Sequence, residues 1–259
     1  MTLEQCYRSA IKLYDDPPEP WSVIEAVEAH RMHWRPHRVH TVLLAESHVF
    51  TDEHVEMQPH CSIEPNNTPS GFARFVYCLG YGEADYVGQD LVPNDGTHQY
   101  WKLLSSSVEP PSEESFAPFL KTHNRDFSKR LGSKYELLTR LKQDGVWLVD
   151  ASILALYVPR KKKPSPRMRE KIIECCWNSY IRDQIQKANP QSVVVIGKGV
   201  YKALQGKLAE LEQNGIKVDC VPQPQGCRTK AAIKAMHHAI FDSCEKARAA
   251  KNSIRDSTP

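Results

Sequence analysis

The chain has 259 residues, 41% of them hydrophobic, with 34 Lys and Arg against 31 Asp and Glu, so its net charge is only +3. That length and apolar content allow a real core in one α/β domain or two small ones. No apolar run approaches the ~18 residues of a membrane span and the amino terminus has no signal-peptide pattern, so the expectation is a soluble protein of the cytoplasm, or of the nucleus in a eukaryote.

Residues 20–34, "PWSVIEAVEAHRMHW", predict a helix opened by Pro20, with Val23, Ile24, Val27 and Met32 near helical spacing. The following "HRMHWRPHRVH" holds His30, His33, His37 and His40 within eleven residues. Pro36 interrupts any helix that would align them, so they read as a basic surface segment and not as a metal site. Residues 40–54, "HTVLLAESHVFTDEH", run a short apolar strand into Glu46, Ser47, His48, Asp52, Glu53 and His54. Residues 59–71 are turn formers, and "FARFVYCLGYG" (72–82) predicts a second strand that brings Tyr77 and Tyr81 to its end. A short helix is expected near 96–107, and one or two more across 115–143.

"GVWLVDASILALY" (145–157) repeats the opening pattern, a hydrophobic strand running into one acid, Asp150. Then "RKKK" at 160–163 concentrates positive charge ahead of a long helix started at Ser165 and Pro166. "SVVVIGKGVYKAL" (192–204) reads as a β-branched strand, a Gly-x-Gly turn and a helix. "IKVDCVPQPQG" supplies a last strand, residues 228–251 a closing helix, and 251–259 a polar tail. Trp101, Trp147 and Trp177 belong to the core, and the eight scattered cysteines, with no C-x-x-C pair, read as reduced thiols.

Strands alternating with helices predict a three-layer α/β/α fold around a mostly parallel sheet of four to five strands, in one domain over residues 1–250. In such a sheet all carboxyl ends share one rim, where open α/β folds bind their ligands. That rim receives Glu46-Ser47-His48, Tyr77 and Tyr81, Asp150, Gly197-Lys198-Gly199 and Pro222-Gln223-Pro224-Gln225.

The ordered stretches strand-"AESH", strand-"DASI", "VVVIGKGVYKAL" and strand-"VPQPQG" resemble the motifs of the uracil-DNA glycosylase superfamily over about residues 40–240. The resemblance implies a DNA glycosylase that flips a base and hydrolyses its N-glycosidic bond. It implies Glu46, with His48, as the water-positioning group, Tyr77 or Tyr81 stacking on the base, and Ser47 and Asp150 in its pocket. Lys161, Lys162, Lys163, Lys198, Gln223, Gln225, Arg228 and Lys230 would contact DNA. The chain departs from the family at Ser47, at Val221 where a His is usual, and at Asp150 where an Asn is usual. An Asn offers a donor and an acceptor, whereas a carboxylate only accepts, which matches the N4 amino group of a cytosine-derived base. Asp150 also suits the cap of a following helix. The four-cysteine pattern of some branches is missing, so no iron–sulfur cluster, metal or other cofactor is expected, and the chain is expected to act as a monomer. Two other readings stay open: an inactive DNA- or protein-binding relative, and a small-molecule-binding α/β domain. Uracil or another deaminated base is the alternative substrate.

Overall fold

A computed structural model describes residues 1–14, 19–51, 57, 68–83, 97–156 and 164–255. The helices are α1 (Leu3–Ala10), α2 (Trp21–His33), α3 (Thr97–Ser106), α4 (Glu113–Phe116), α5 (Phe127–Gln143), α6 (Pro166–Cys176), α7 (Arg182–Ala188), α8 (Lys198–Gln213) and α9 (Lys230–Arg255). A π-helical turn, Trp177–Ile181, joins α6 to α7. Four strands, β1 (Thr41–Ala45), β2 (Val146–Asp150), β3 (Ser192–Ile196) and β4 (Lys217–Val221), form a wholly parallel sheet in the order β2-β1-β3-β4.

Every residue of β1, β2 and β3 is buried, so these strands are continuous apolar runs without alternation. Helices cover both faces. On one, α8 packs on β3 and β4 and touches α6, which rests on α1; on the other, α9 packs on β3 and β4 beside α3, while α5 covers β2. The three-layer expectation therefore holds. Trp101, Trp147 and Trp177 are all in the core.

The two sheet edges are protected differently. β4 exposes Lys217 and Cys220 and carries an ion pair between Lys217 and Asp219, at 2.9 Å. Charge of this kind discourages pairing with another chain. At the other edge, the Leu148 N–H of β2 donates to the Tyr77 hydroxyl at 2.7 Å.

That contact corrects one sequence expectation. Residues 72–82 are not a strand but a series of turns, closed by Cys78 N–H to Phe75 O, Tyr81 N–H to Cys78 O and Glu83 N–H to Gly80 O. Phe72, Phe75, Val76, Tyr77, Cys78, Leu79 and Tyr81 are all buried, because the segment is wrapped on both sides. An apolar run without period-two alternation does not distinguish a strand from such a wrap. Its end is pinned by Glu83, buried with Arg130 and Lys134 of α5, the Arg130 Nη2 lying 2.5 Å away.

Other differences are smaller. α1 was not anticipated, although Thr2 and Gln5 form a reciprocal capping box there. β2 ends at Asp150, as the sequence indicated, and residues 151–156 turn. α9 runs to Arg255, four residues past the expected helix end at 251. The "HRMHWRPHRVH" stretch is not a surface segment, since His30, Arg31 and His40 are buried. His30 Nε2 pairs with the Gly71 carbonyl at 2.8 Å, and burial holds this histidine neutral by lowering its pKa to about 4.

Removing the Tyr77 hydroxyl tests the edge contact. Tyr77→Phe leaves the Leu148 N–H buried without a partner, and such a loss costs ~1–3 kcal/mol. The expected result is a folded protein with a lower urea midpoint and faster hydrogen exchange at Leu148. An unchanged midpoint with Leu148 still protected would remove this hydroxyl from the stability of the edge.

Candidate functional site

Parallel pairing fixes which residues meet at the rim. Ala45 is in register with Asp150, and Ile196 with Val221, so the loops after all four strands emerge side by side. The ladder continues briefly past the strands, Ala151 N–H to Ala45 O and Ser152 N–H to Glu46 O. Glu46 and Asp150 therefore stand on adjacent loop roots.

Glu46 is half-buried. Its Oε1 lies 3.3 Å from Nη1 of Arg169 on α6, and its Oε2 accepts from Nε2 of Gln223 at 3.5 Å. Gln223 reaches it because of Gly197, which takes φ +118° at the sharp turn from β3 into α8. A Cβ at that position would stand 2.9 Å from the Gln223 Cγ, so only glycine allows this approach. Gly197 N–H also donates to Val221 O at 2.7 Å. Residues from the ends of β1, β3 and β4 thus close on one carboxylate.

His48 is wholly buried, not open at the rim. Its Nε2 lies 2.9 Å from Glu19 Oε2, and its Nδ1 lies 3.8 Å from Asp150 Oδ2. Burial penalises the imidazolium, but the charges of Glu19 and Asp150 outweigh that penalty and raise its pKa from 6.5 to about 9. Both of its ring nitrogens face carboxylates of the protein, which leaves neither turned to a ligand. The catalytic assignment of His48 is corrected to support of Asp150 from behind.

Glu19, which the sequence did not single out, holds this arrangement together. Besides His48 it accepts from Thr51 N–H at 2.7 Å and Ala155 N–H at 2.9 Å, tying the loop after β1 to the loop after β2. Ser47 reinforces the same junction, its Oγ accepting from Leu156 N–H at 3.0 Å. Ser47 therefore acts as a loop fastener where substrate contact was expected. The Asp150 side chain is no helix cap, because turns and not a helix follow it.

Tyr77 leaves the site as well. Only 1% exposed, it sits on the β2 edge with no face free for a base. Tyr81 is also buried, at 5%. An aromatic that sequence reasoning passed over, Tyr100 of α3, is half-buried. Burial, and then the negative charges of Asp150 and Glu46, push its hydroxyl well above the ordinary tyrosine range. Its only sequence signal is a tyrosine in a helix predicted to be short.

The surface beyond Glu46 is polar and basic. Lys198 is exposed at the start of α8, and Gln225, Arg228 and Lys230 are exposed along the short turn and the start of α9. Val221 is buried and offers no polar group. Asp52, Glu53, His54 and the run Lys161, Lys162, Lys163 lie outside the described residues.

Among the described residues, no three His, Cys, Asp or Glu side chains are gathered as metal ligands, and no helix is long and apolar enough to cross a membrane. No known protein family matches the chain, and no curated protein does. The site is therefore read from its own chemistry.

The His48 pairing sets a pH dependence with a definite sign. A histidine whose pKa is raised in the folded state contributes stability in full below its unfolded value, about 6.5, and loses it as pH rises through about 9. Urea unfolding should show stability falling across that interval, and His48→Gln should remove that part of the slope. A wild-type profile flat between those limits would show that His48 is neutral.

Proposed function

We propose that the rim is the active site of a DNA glycosylase, related in its ordered motifs to the uracil-DNA glycosylase superfamily, that acts on a flipped base. One observation carries the reading: a half-buried carboxylate, Glu46, is gripped by Arg169 of α6 and by Gln223 from the loop after β4, beside the buried acceptor Asp150. Converging charge of this kind suits a reaction whose transition state is a cationic sugar, because fixed charges at the reacting centre are usually the largest catalytic contribution.

In the proposed reaction the bond from C1′ to the base nitrogen breaks, and its electron pair leaves with the base. Glu46 holds a water whose oxygen bonds to C1′, and it receives the proton that water loses. The carboxylate also stabilises the positive charge that builds on the sugar. Asp150 accepts a hydrogen bond from the base edge, which favours a cytosine-derived base, in repair or in defence against viruses with modified cytosines. Tyr100 replaces Tyr77 as the aromatic that stacks on the extruded ring. Gln225, Arg228 and Lys230 enter or flank the groove, while Lys198 and the Lys161–Lys163 run hold phosphates, which positions the duplex without reading sequence. The protein would act as a monomer, in the cytoplasm or the nucleus.

A second reading has specific support. Glu46 is already paired with Arg169, and buried Val221 supplies no group to stabilise the departing base. An inactive relative that binds DNA through the same rim would show these features too. Abasic-site formation separates the two, because a pure binder makes none. Mass spectrometry of bases released from ordinary, deaminated and virus-modified DNA makes the same measurement and identifies the substrate.

Replacing Glu46 by Gln should preserve DNA affinity and reduce base release by ~10²–10⁴-fold, the range of a water-positioning or general-base group. Near-normal turnover would remove Glu46 from the mechanism.

The double substitution Arg228→Ala and Lys230→Ala should weaken binding to all sequences alike. The slope of log affinity against log salt should fall by about one unit per lost phosphate contact. An unchanged slope would place the start of α9 away from the duplex.

A further inference from the structure

A chain of buried charge runs behind the rim. Arg31 of α2 lies between Glu28, 2.7 Å from Nη1, and Asp150, whose Oδ2 stands 3.7 Å from Nη2. On the far side of that oxygen is His48 Nδ1 at 3.8 Å, and His48 Nε2 leads on to Glu19 at 2.9 Å. Phe75 closes the cluster edge-on to His48, with the Arg31 guanidinium 5.9 Å from its ring centre.

The outer carboxylates are saturated. Glu28 accepts from Arg31 and from the Tyr180 hydroxyl at 2.6 Å, and Glu19 accepts from His48 and two backbone N–H groups. Asp150 differs. Among the described residues its Oδ2 is buried and accepts no hydrogen bond, and His48 Nδ1 beside it makes none. With His48 protonated, Glu19, Glu28 and Asp150 face two cations, so the cluster carries one net negative charge, and Asp150 is the carboxylate that both cations share.

Buried polar groups in folded proteins nearly always find partners, and an orphan acceptor calls for a reason. A cluster that served only to pin loops would use up its acceptors, as Glu19 and Glu28 do. Resting on the glycosylase reading, we infer that His48, Glu19 and Arg31 are positioning residues that fix Asp150 as the acceptor for the base edge, so that the site selects a base bearing an exocyclic amino group. An amino group can donate to that carboxylate. A carbonyl in the same place sets acceptor against acceptor. Arg31 and His48 flank the oxygen from opposite elements and stop the carboxylate from turning away. His48 is held in turn by Glu19, so deprotonation of His48 would remove one of the two flanking cations.

The test uses the full chain and duplexes identical except for one 5-hydroxymethylcytosine or one uracil. The ratio of base release is measured for wild type, His48→Gln and Arg31→Lys between about pH 6.5 and about pH 9, the interval over which His48 titrates. Wild type should favour the amino base, with the ratio declining toward the upper limit. His48→Gln should lower the ratio by about tenfold, the discrimination carried by one good polar contact to a base edge, and should flatten its pH dependence. Arg31→Lys keeps a cation and should retain most of the preference. A ratio unmoved in His48→Gln overturns the positioning role.

A parallel binding measurement covers a chain that proves inactive or a variant that does not fold. Imidazole nitrogen resonances of His48 in wild type are followed by NMR as deoxycytidine or deoxyuridine is added. A shift with deoxycytidine alone supports the inference, and an equal response to both, or to neither, overturns it. Selective binding without base release would defeat the hydrolytic reading and leave the inference standing.

Discussion

Burying the Glu19 carboxylate imposes the constraint on which the rim depends. A carboxylate taken out of water is costly unless its lone pairs are met by donors, and breaking one partner leaves an uncompensated charge. Glu19 meets this demand with His48 and with the backbone N–H groups of Thr51 and Ala155. Those donors belong to the loops after β1 and β2, the segments that carry Glu46 and Asp150. Loops at strand ends are ordinarily among the more mobile parts of a fold. Here one buried acid makes them a single unit, with the Ser47 hydroxyl as a second tie.

A second buried acid performs a similar task away from the rim and shows a different balance. Glu83 is met by Arg130 and Lys134 of α5, with Lys121 at 3.9 Å, and Lys134 also lies over the Trp101 ring. Cations exceed carboxylates there, and both Glu83 oxygens accept hydrogen bonds. This cluster fastens residues 68–83 to the helical layer and so brings Tyr77 onto the β2 edge. Behind the rim the net charge of the cluster is negative, and among the described residues Asp150 Oδ2 accepts no hydrogen bond. The contrast separates a cluster whose acceptors are all used from one that keeps an acceptor in reserve.

The rim also depends on the closeness that Gly197 permits. Because no Cβ stands there, Gln223 lies against the turn and reaches Glu46 from the far end of the sheet. Arg169 meets the same carboxylate from α6. The group proposed to hold water is therefore held from α6 and from the loop after β4, the loop that also carries Gln225.

Much of the frame could be read directly from the residues. Buried parallel strands need uninterrupted apolar runs, and "TVLLA", "VWLVD" and "SVVVI" are such runs, each ended by a polar or glycine-bearing turn. Their order along the chain and the helices between them determined a parallel sheet, and with it the meeting of Glu46, Asp150, Gly197 and Gln223 at one rim. What each polar residue does there was decided by tertiary contacts. His48 and Glu19 are 29 residues apart in the chain, and Glu46 and Gln223 are 177 apart. Local pattern reports on near neighbours and on which face a side chain takes, whereas the role of a charge is set by what surrounds it when water is gone. The same "VYCLGY" stretch that satisfies a strand pattern was turned into a wrap because Leu148 offered an N–H at the sheet edge and Tyr77 could accept it. Patterning determined where the site lies; three-dimensional burial decided that His48 supports, Ser47 fastens and Asp150 is left with an acceptor to spare.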